Sequence, residues 1–264
     1  MGKPQEQTIR ISNQLVRATH SFTLSEKRLL MLAVSKVTEG NINEPIHIST
    51  AEYSDTYNVD SRSAHRTMVQ AESGLWGREF VLDGYIKRWV TDKRVRGSGD
   101  WDVAIRIHED LKPHISELKA CYTQYLLKRA SDFKSVYTWR IFELIMQFRA
   151  TGLLRIKLSE FSESVDYPES YKKDFGVVRQ KVIAPALKAI KDAGLPVVMN
   201  AVKKGRSVHM LEFTFPTEQQ LDIFNAPAKP VVNDAYITKH ARPGESWDAA
   251  RKRLTEELKK ETPA

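Results

Sequence analysis

Residues 52–57 read EYSDTY, and 108 positions later residues 160–165 read EFSESV. Each runs acid, aromatic, serine, acid, hydroxyl residue, then an aromatic or apolar side chain. A six-letter echo carries weight only where its surroundings repeat as well, so the flanks decide its meaning.

Upstream of the first phrase, THSFTLSEKRLLMLAVSKV predicts a helix. Thr23 and Glu26 form a capping box, and Leu29, Leu30, Ala33, Val34 and Val37 fall on one stripe. Gly40 ends it, and an extended piece over 45–48 leads to a second capping box, Ser49 to Glu52, which opens the helix holding EYSDTY. A turn at 58–60 precedes a third helix over 61–75. Strands are expected at 79–82, 85–91 and 103–107, the last two joined by the loose basic loop DKRVRGSGDW.

Around the second phrase the order recurs. Ser135 caps VYTWRIFELIMQFRA, a run apolar all round except for Arg140, Glu143 and Gln147, as a central buried helix would be. Gly152 stops it, 154–157 reads extended, and LSEFSESV is a short helix. DYPESYKKD forms a turn, and FGVVRQKVIAPALKAIKDAG gives a further helix in which Pro185 should kink or divide the chain near 181–185. Strands over 195–202 and 207–215 are joined by KKGR. Helix, short strand, helix, turn, helix and hairpin thus occur twice. That is the winged-helix order, and the expected fold is α+β: two tandem winged-helix domains, each a helix-turn-helix core with a β-hairpin wing. The boundaries expected are 1–118 and 119–215, followed by a 216–264 linker and short helical tail with Trp247, Leu254 and Leu258 on one side.

The net charge of +8 is not spread evenly. Residues 1–118 hold 16 Lys/Arg against 16 Asp/Glu, residues 216–264 hold 8 against 8, and residues 119–215 hold 17 against 9. A neutral first part beside a basic second part suggests that the second makes the main polyanion contact; the competing reading is a surplus of lysines that keeps the protein soluble. No apolar run approaches the roughly 20 residues that span a bilayer, and MGKPQEQTIR lacks the apolar stretch of a secretory signal. Cys121 is the single cysteine, so no disulfide framework or Cys-based metal site is expected, and a cytoplasmic location follows.

In a helix-turn-helix the third helix presents side chains to the major groove. Val178, Val182, Ile183, Ala186, Leu187 and Ile190 form the core stripe of the second copy, leaving Arg179, Gln180, Lys181, Lys188 and Lys191 mostly outside it. Arg and Lys can bond guanine and Gln adenine, so Arg179, Gln180, Lys181 and Lys188 are the candidates for base readout. A solvated helix face is the plain alternative. Lys203, Lys204 and Arg206 at the wing tip, with Lys172 and Lys173 before the helix, are expected on phosphates. Arg62, His65 and Arg66, with Lys93, Arg94 and Arg96 on the wing, are the equivalent, weaker set in the first copy. A GxxxxGK[ST] phosphate loop, an HxH pair and HExxH are all lacking, so no enzymatic activity, metal site or cofactor is expected.

From Ile9 to Phe215 the chain resembles the iteron-binding plasmid replication initiators, the Rep family typified by the F plasmid initiator. The resemblance rests on NQLVRATHSFTLSEKRLLMLAV, whose Ser25, Arg28, Leu29 and Leu30 match an S-x-x-R-L-L pattern. It continues in YTWRIFELIMQFRATGLLRIKLSEF, VDYPESY, VRQKVIAPALKAI with its internal proline, and the hairpin VVMNAVKKGRSVHMLEFTF. The resemblance implies that the second domain binds one end of each iteron through its third helix, with family basic positions at Arg179 and Lys181 and Gln180 replacing a residue that is often basic. The first domain would contact the other end in monomers and form the interface of a homodimer. Monomers would initiate replication by opening an A·T-rich segment and recruiting host replication machinery, with chaperones as further partners. Dimers would repress the initiator's own gene at an operator inverted repeat. A plain winged-helix transcriptional repressor and a winged-helix module for protein contacts remain the alternatives.

Overall fold

The computed structural model describes residues 7–18, 21–92, 102–118, 120–217 and, in the tail, 245, 249, 250, 252 and 253. Strand β1 (Thr8–Ser12) leads into the one-turn helix α1 (Asn13–Arg17), which Ser12 caps. Helix α2 (Leu24–Ser35) opens on the expected capping box: Glu26 N donates to Thr23 Oγ1 at 3.3 Å, and Thr23 N donates to the Glu26 carboxylate at 2.7 Å. After β2 (Ile46–Ile48), Glu52 N donates to Ser49 Oγ at 3.1 Å and starts α3 (Thr50–Tyr57), while the Glu52 carboxylate accepts from Lys36 Nζ at 2.7 Å. Asp60 caps α4 (Ser61–Trp76). A hairpin of β3 (Glu79–Leu82) and β4 (Tyr85–Arg88) follows, turned on Asp83 (φ 52°) and Gly84 (φ 80°), the two positive φ angles that match strand twist. Val90 bridges Ile107, and β5 (Val103–Ile105) pairs antiparallel with β2.

Past a 3-10 turn (Glu109–Leu111) come α5 (Lys112–Ile115), β6 (Tyr122–Leu126) and α6 (Leu127–Ser131). Strand β6 pairs with β1, Ile9 opposite Tyr125 and Ile11 opposite Thr123, and α6 packs on α2 and α3. The expected boundary at 118/119 is therefore bridged by sheet and helix, and Met1–Thr217 is one compact unit, with Glu218–Ala264 another. In the tail, helical positions are described at 249, 250, 252 and 253, and Arg253 pairs with Glu245 at 2.7 Å. Trp247, Leu254 and Leu258 lie outside the described residues.

Helix α7 (Val136–Met146), capped by Ser135, begins the second copy. It ends at Met146, sooner than expected, and turns lead to Gly152, whose φ is +69° and where an added Cβ would stand only 2.6 Å from the Phe215 carbonyl oxygen. Then follow β7 (Leu153–Lys157), α8 (Leu158–Val165), the one-turn helix α9 (Glu169–Lys172) and α10 (Phe175–Val178). A wide π turn (Arg179–Ile183) connects α10 to α11 (Ala184–Asp192). The chain closes with β8 (Val198–Lys204) and β9 (Ser207–Thr214), in a sheet ordered β7-β9-β8.

The disturbance expected near Pro185 takes the form of a widened turn, and the helix that carries the proline is kept. The backbone stays helical at Arg179 (φ −59°, ψ −47°) and at Ala184 (φ −62°, ψ −45°). Proline has no N–H to give and its ring would crowd the carbonyl four residues back; an i→i+5 turn just before it accommodates both and keeps one continuous helix over 175–192.

The offset of 108 persists in three dimensions. Ile46 and Ile48 in β2 are buried, as are Leu154 and Ile156 in β7. Tyr53 and Tyr57 fill the core under α3, and Phe161 and Val165 do so under α8. Both helices then stop on a left-handed residue, Asn58 (φ 48°, ψ 55°) and Asp166 (φ 54°, ψ 55°), whose N–H groups donate to Ser54 O and Ser162 O. Asn and Asp are the non-glycine residues that tolerate this conformation. In each copy the last strand, β5 or β9, pairs with the short strand between the first two helices. Two winged-helix domains of an α+β fold are thus present.

Candidate nucleic-acid interface

The third helix of the second copy packs on α7, and Val178, Val182, Ile183, Ala186 and Ile190 along it are buried. Leu187, expected in this stripe, is only half-buried. Arg179, Gln180 and Lys181 are exposed together between the buried Val178 and Val182, and Lys188 and Lys191 continue the same open side. Asp174 fixes the start of the helix, accepting from Gly176 N at 2.7 Å. Among the described residues, no acid pairs with Arg179, Lys181 or Lys188. Unpaired exposed cations keep their donors available for guanine edges and phosphates.

The wing supplies Lys203, Lys204 and Arg206, all exposed around Gly205, whose φ of +65° makes the tight tip. A register shift between Val202 and Lys203 bends the strand at the point where the cations begin. Lys173 is exposed as expected. Lys172 differs: it pairs with Glu169 on its own turn, which raises its pKa through the hydrogen bond to that carboxylate. A shallow cavity of about 380 Å³ lies between Ser159 on α8, Lys172, Phe175 and His209 of the wing, so these elements converge beside the start of the third helix.

In the first copy, Arg62 and Arg66 are exposed on α4, whereas His65 is half-buried with Nδ1 3.5 Å from Thr50 Oγ1 on α3. Lys93, Arg94 and Arg96 lie outside the described residues. Sequence reasoning passed over Gln70, exposed one further step along the 62–66–70 row, and left Lys191 out of its final set. A four-residue polar period was the available signal for Gln70. Among the described residues, no three His, Cys, Asp or Glu side chains gather as a metal site requires, and no helix is long and apolar enough to cross a membrane.

Comparisons with known proteins agree with this geometry. The family described as Initiator Replication protein, WH1, matches residues 8–146, and Initiator Rep protein, WH2, matches residues 157–215. An uncharacterized 27.6 kDa protein of Escherichia coli is 22% identical over 204 residues, 70% of this chain and 84% of that one. The Pi initiator protein, solved in complex with iteron DNA, superposes with a TM-score of 0.68 at 17% identity, over 82% of this chain and all of that one. At that identity the match speaks for a shared fold. The two family matches cover more than half of the chain, in the order in which the two winged helices occur, and the chain belongs to the replication initiator protein family.

Proposed function

We propose that this initiator binds directly repeated iterons at a plasmid origin and reads them with the helix over 175–192 in the major groove. The observation that carries the reading is the exposed run Arg179, Gln180, Lys181, continued by Lys188, with its cations unpaired among the described residues. Those four make base contacts; Lys173, Lys203, Lys204 and Arg206 hold phosphates, and Lys172 joins them by exchanging its exposed Glu169 partner for a phosphate. The structural relative solved with iteron DNA supports the assignment. Arg62, His65 and Arg66 on α4, together with Lys93, Arg94 and Arg96, give a second and weaker contact on the same duplex. Two reading helices imply a repeat of about 20 base pairs, two helical turns. The role is binding and origin opening by monomers, with host replication machinery recruited next, and no catalytic step is assigned.

Dimers form through the first module and repress the initiator's own gene. Supporting this, Val81 and Ile86 face each other across the β3–β4 hairpin and stand 54% and 72% exposed. An exposed apolar face on an edge hairpin suits a second copy of the same face.

Footprinting on the origin that neighbours this gene tests the reading. Protection of direct repeats of about 20 base pairs is expected, and none at moderate salt would overturn it. Arg179→Ala with Lys181→Ala should abolish specific binding and leave dimers intact. Unchanged origin activity in that variant would favour a module devoted to protein contacts.

A further inference from the structure

Four charged side chains are buried where the two winged helices meet. Lys27 on α2 is 1% exposed, and its Nζ lies 2.8 Å from Glu143 Oε2 on α7. The other carboxylate oxygen of Glu143 accepts from Tyr125 OH at 2.8 Å, and that hydroxyl accepts from Trp139 Nε1 at 2.9 Å. Next to Lys27, Arg28 Nη2 donates to Phe133 O at 3.1 Å and Ser131 O at 3.4 Å, with its guanidinium 5.0 Å from the Tyr57 ring. Arg140, 3% exposed, donates through Nε to Ser164 O on α8 and through Nη2 to Ala18 O at 3.3 Å. One guanidinium thereby holds the end of the second copy's middle helix and the loop after α1. Burial pushes the Arg140 pKa down to about 10, with Glu143 and Asp166 opposing that, and it also lowers the pKa of Lys27.

Each reading helix rests on the first helix of its own copy, α4 on α2 and α11 on α7. Lys27 and Glu143 join the two first helices directly, Arg28 ties α2 to the 131–133 segment that leads into α7, and Arg140 ties α7 to the residue after α1. Apolar packing is non-directional, whereas ion pairs and charge-assisted hydrogen bonds hold only in narrow geometry. We propose that Lys27, Arg28, Arg140 and Glu143 are positioning residues that fix the rotational phase between the two reading helices, and with it the spacing of the two half-contacts an iteron must present. The proposal rests on the reading that both helices contact one duplex. Inserting one base pair moves a half-contact by about 3.4 Å along the axis and turns it by about 35° around it. A joint of this kind cannot follow that change without breaking hydrogen bonds of buried charges.

The test is fluorescence anisotropy with the full chain on four duplexes: the native repeat, the repeat with one base pair inserted or deleted at its centre, and a half-repeat with only the second copy's contact. Wild-type protein should lose at least about tenfold in affinity on both respaced duplexes, about the cost of one wrong base pair. Arg140→Lys and the apolar pair Lys27→Met with Glu143→Leu should each reduce that penalty to less than about threefold, a loss of more than half of it in free-energy terms. Their binding to the half-repeat should stay within twofold of wild type, so that the ratio reports phase rather than folding. Wild-type discrimination retained in both variants overturns the proposal, as does equal weakening on the half-repeat. Wild-type protein that binds the native and respaced repeats alike also overturns it while leaving iteron binding intact. Protein that binds no repeat overturns the underlying reading instead.

Discussion

Helix α4 and the helix over 175–192 occupy the same place in two copies of one frame, but they are reached and equipped differently. Three residues, 58–60, separate α3 from α4; nine, 166–174, separate α8 from α10, and they include the extra turn α9. Helix α4 is regular and carries Arg62 and Arg66, while its counterpart widens into a π turn that opens Arg179, Gln180 and Lys181 side by side. From β2 through α3 and from β7 through α8 the supporting parts keep the offset of 108, the same buried positions and the same left-handed C-cap. The parts that would face DNA do not. Duplication has kept what a hydrophobic core demands and released what recognition uses.

The joint between the copies gives the largest expected effect. Replacing Lys27 by Ala leaves Glu143 buried without its cation and should cost about 3–5 kcal/mol of stability in denaturant unfolding. Lys36→Ala removes the half-exposed partner of Glu52 within one copy and should cost about 1 kcal/mol or less. Equal losses would mean that the copies are not held together by their buried charges.

The comparison of reading helices is sharpened next. A lost base contact costs about 1–3 kcal/mol, so Arg179→Ala with Lys181→Ala should weaken binding by roughly a hundredfold or more at fixed salt. Arg62→Ala with Arg66→Ala should weaken it by about tenfold at most, since the first copy makes the weaker contact and one lost base contact is worth about that much. Similar losses from the two pairs, measured by anisotropy on one repeat, would dissolve the asymmetry. A smaller effect separates the wing from the helix. Lys203, Lys204 and Arg206 changed together to Ala should lower the slope of log K against log salt by about 0.9 per charge, with the preference for repeat over random duplex nearly unchanged.

Much of the frame was legible because its signals are local. Thr23 and Glu26, the stripe under α2, and the aromatic positions of EYSDTY and EFSESV all act within a turn or two of helix. The β1–β6 sheet escaped because its strands lie far apart in sequence, Thr8 pairing with Leu126. Only the short alternations of Ile9 with Ile11 and of Thr123 with Tyr125 hinted at it. Arg140 and Glu143 stood out as charges on an apolar helix, yet nothing local to them names Lys27 or Ala18 as partners. Pro185 was legible as a disturbance, but nothing local to it chose between a kink and a widened turn. The exposure of Arg179, Gln180, Lys181 and Lys188 followed directly from the stripe, since residues outside it had nowhere to point but solvent. The Glu169 partner of Lys172 was not legible, because it lies on a one-turn helix that the sequence suggested only as a turn.

The smallest expected effect concerns acid, and it again sets the copies apart. His114 on α5 has Nδ1 2.8 Å from Ser12 Oγ, at the end of β1 where β6 pairs. Burial lowers its pKa; nearby Asp83 opposes the shift and Lys87, itself tied to Asp110 at 3.0 Å, adds to it. The unfolded chain takes up a proton near the ordinary imidazole value of about 6.5, and the folded chain only at lower pH. Between those two values the unfolded state binds more protons, so stability rises with pH across the window and is lost as pH falls through it. Acid should therefore loosen the β1–β6 sheet before the β7-β9-β8 sheet. Hydrogen exchange at pH 7.5 and pH 5.5 should show faster opening of Ile9, Ile11 and Tyr125 amides at the lower pH, after correction for intrinsic rates, with Leu154 and Phe213 little changed. His114→Gln keeps a group able to bond Ser12 and removes the titration. If opening at β1 stays equally acid-sensitive in that variant, the sensitivity comes from elsewhere and the two sheets are not distinguished by this histidine.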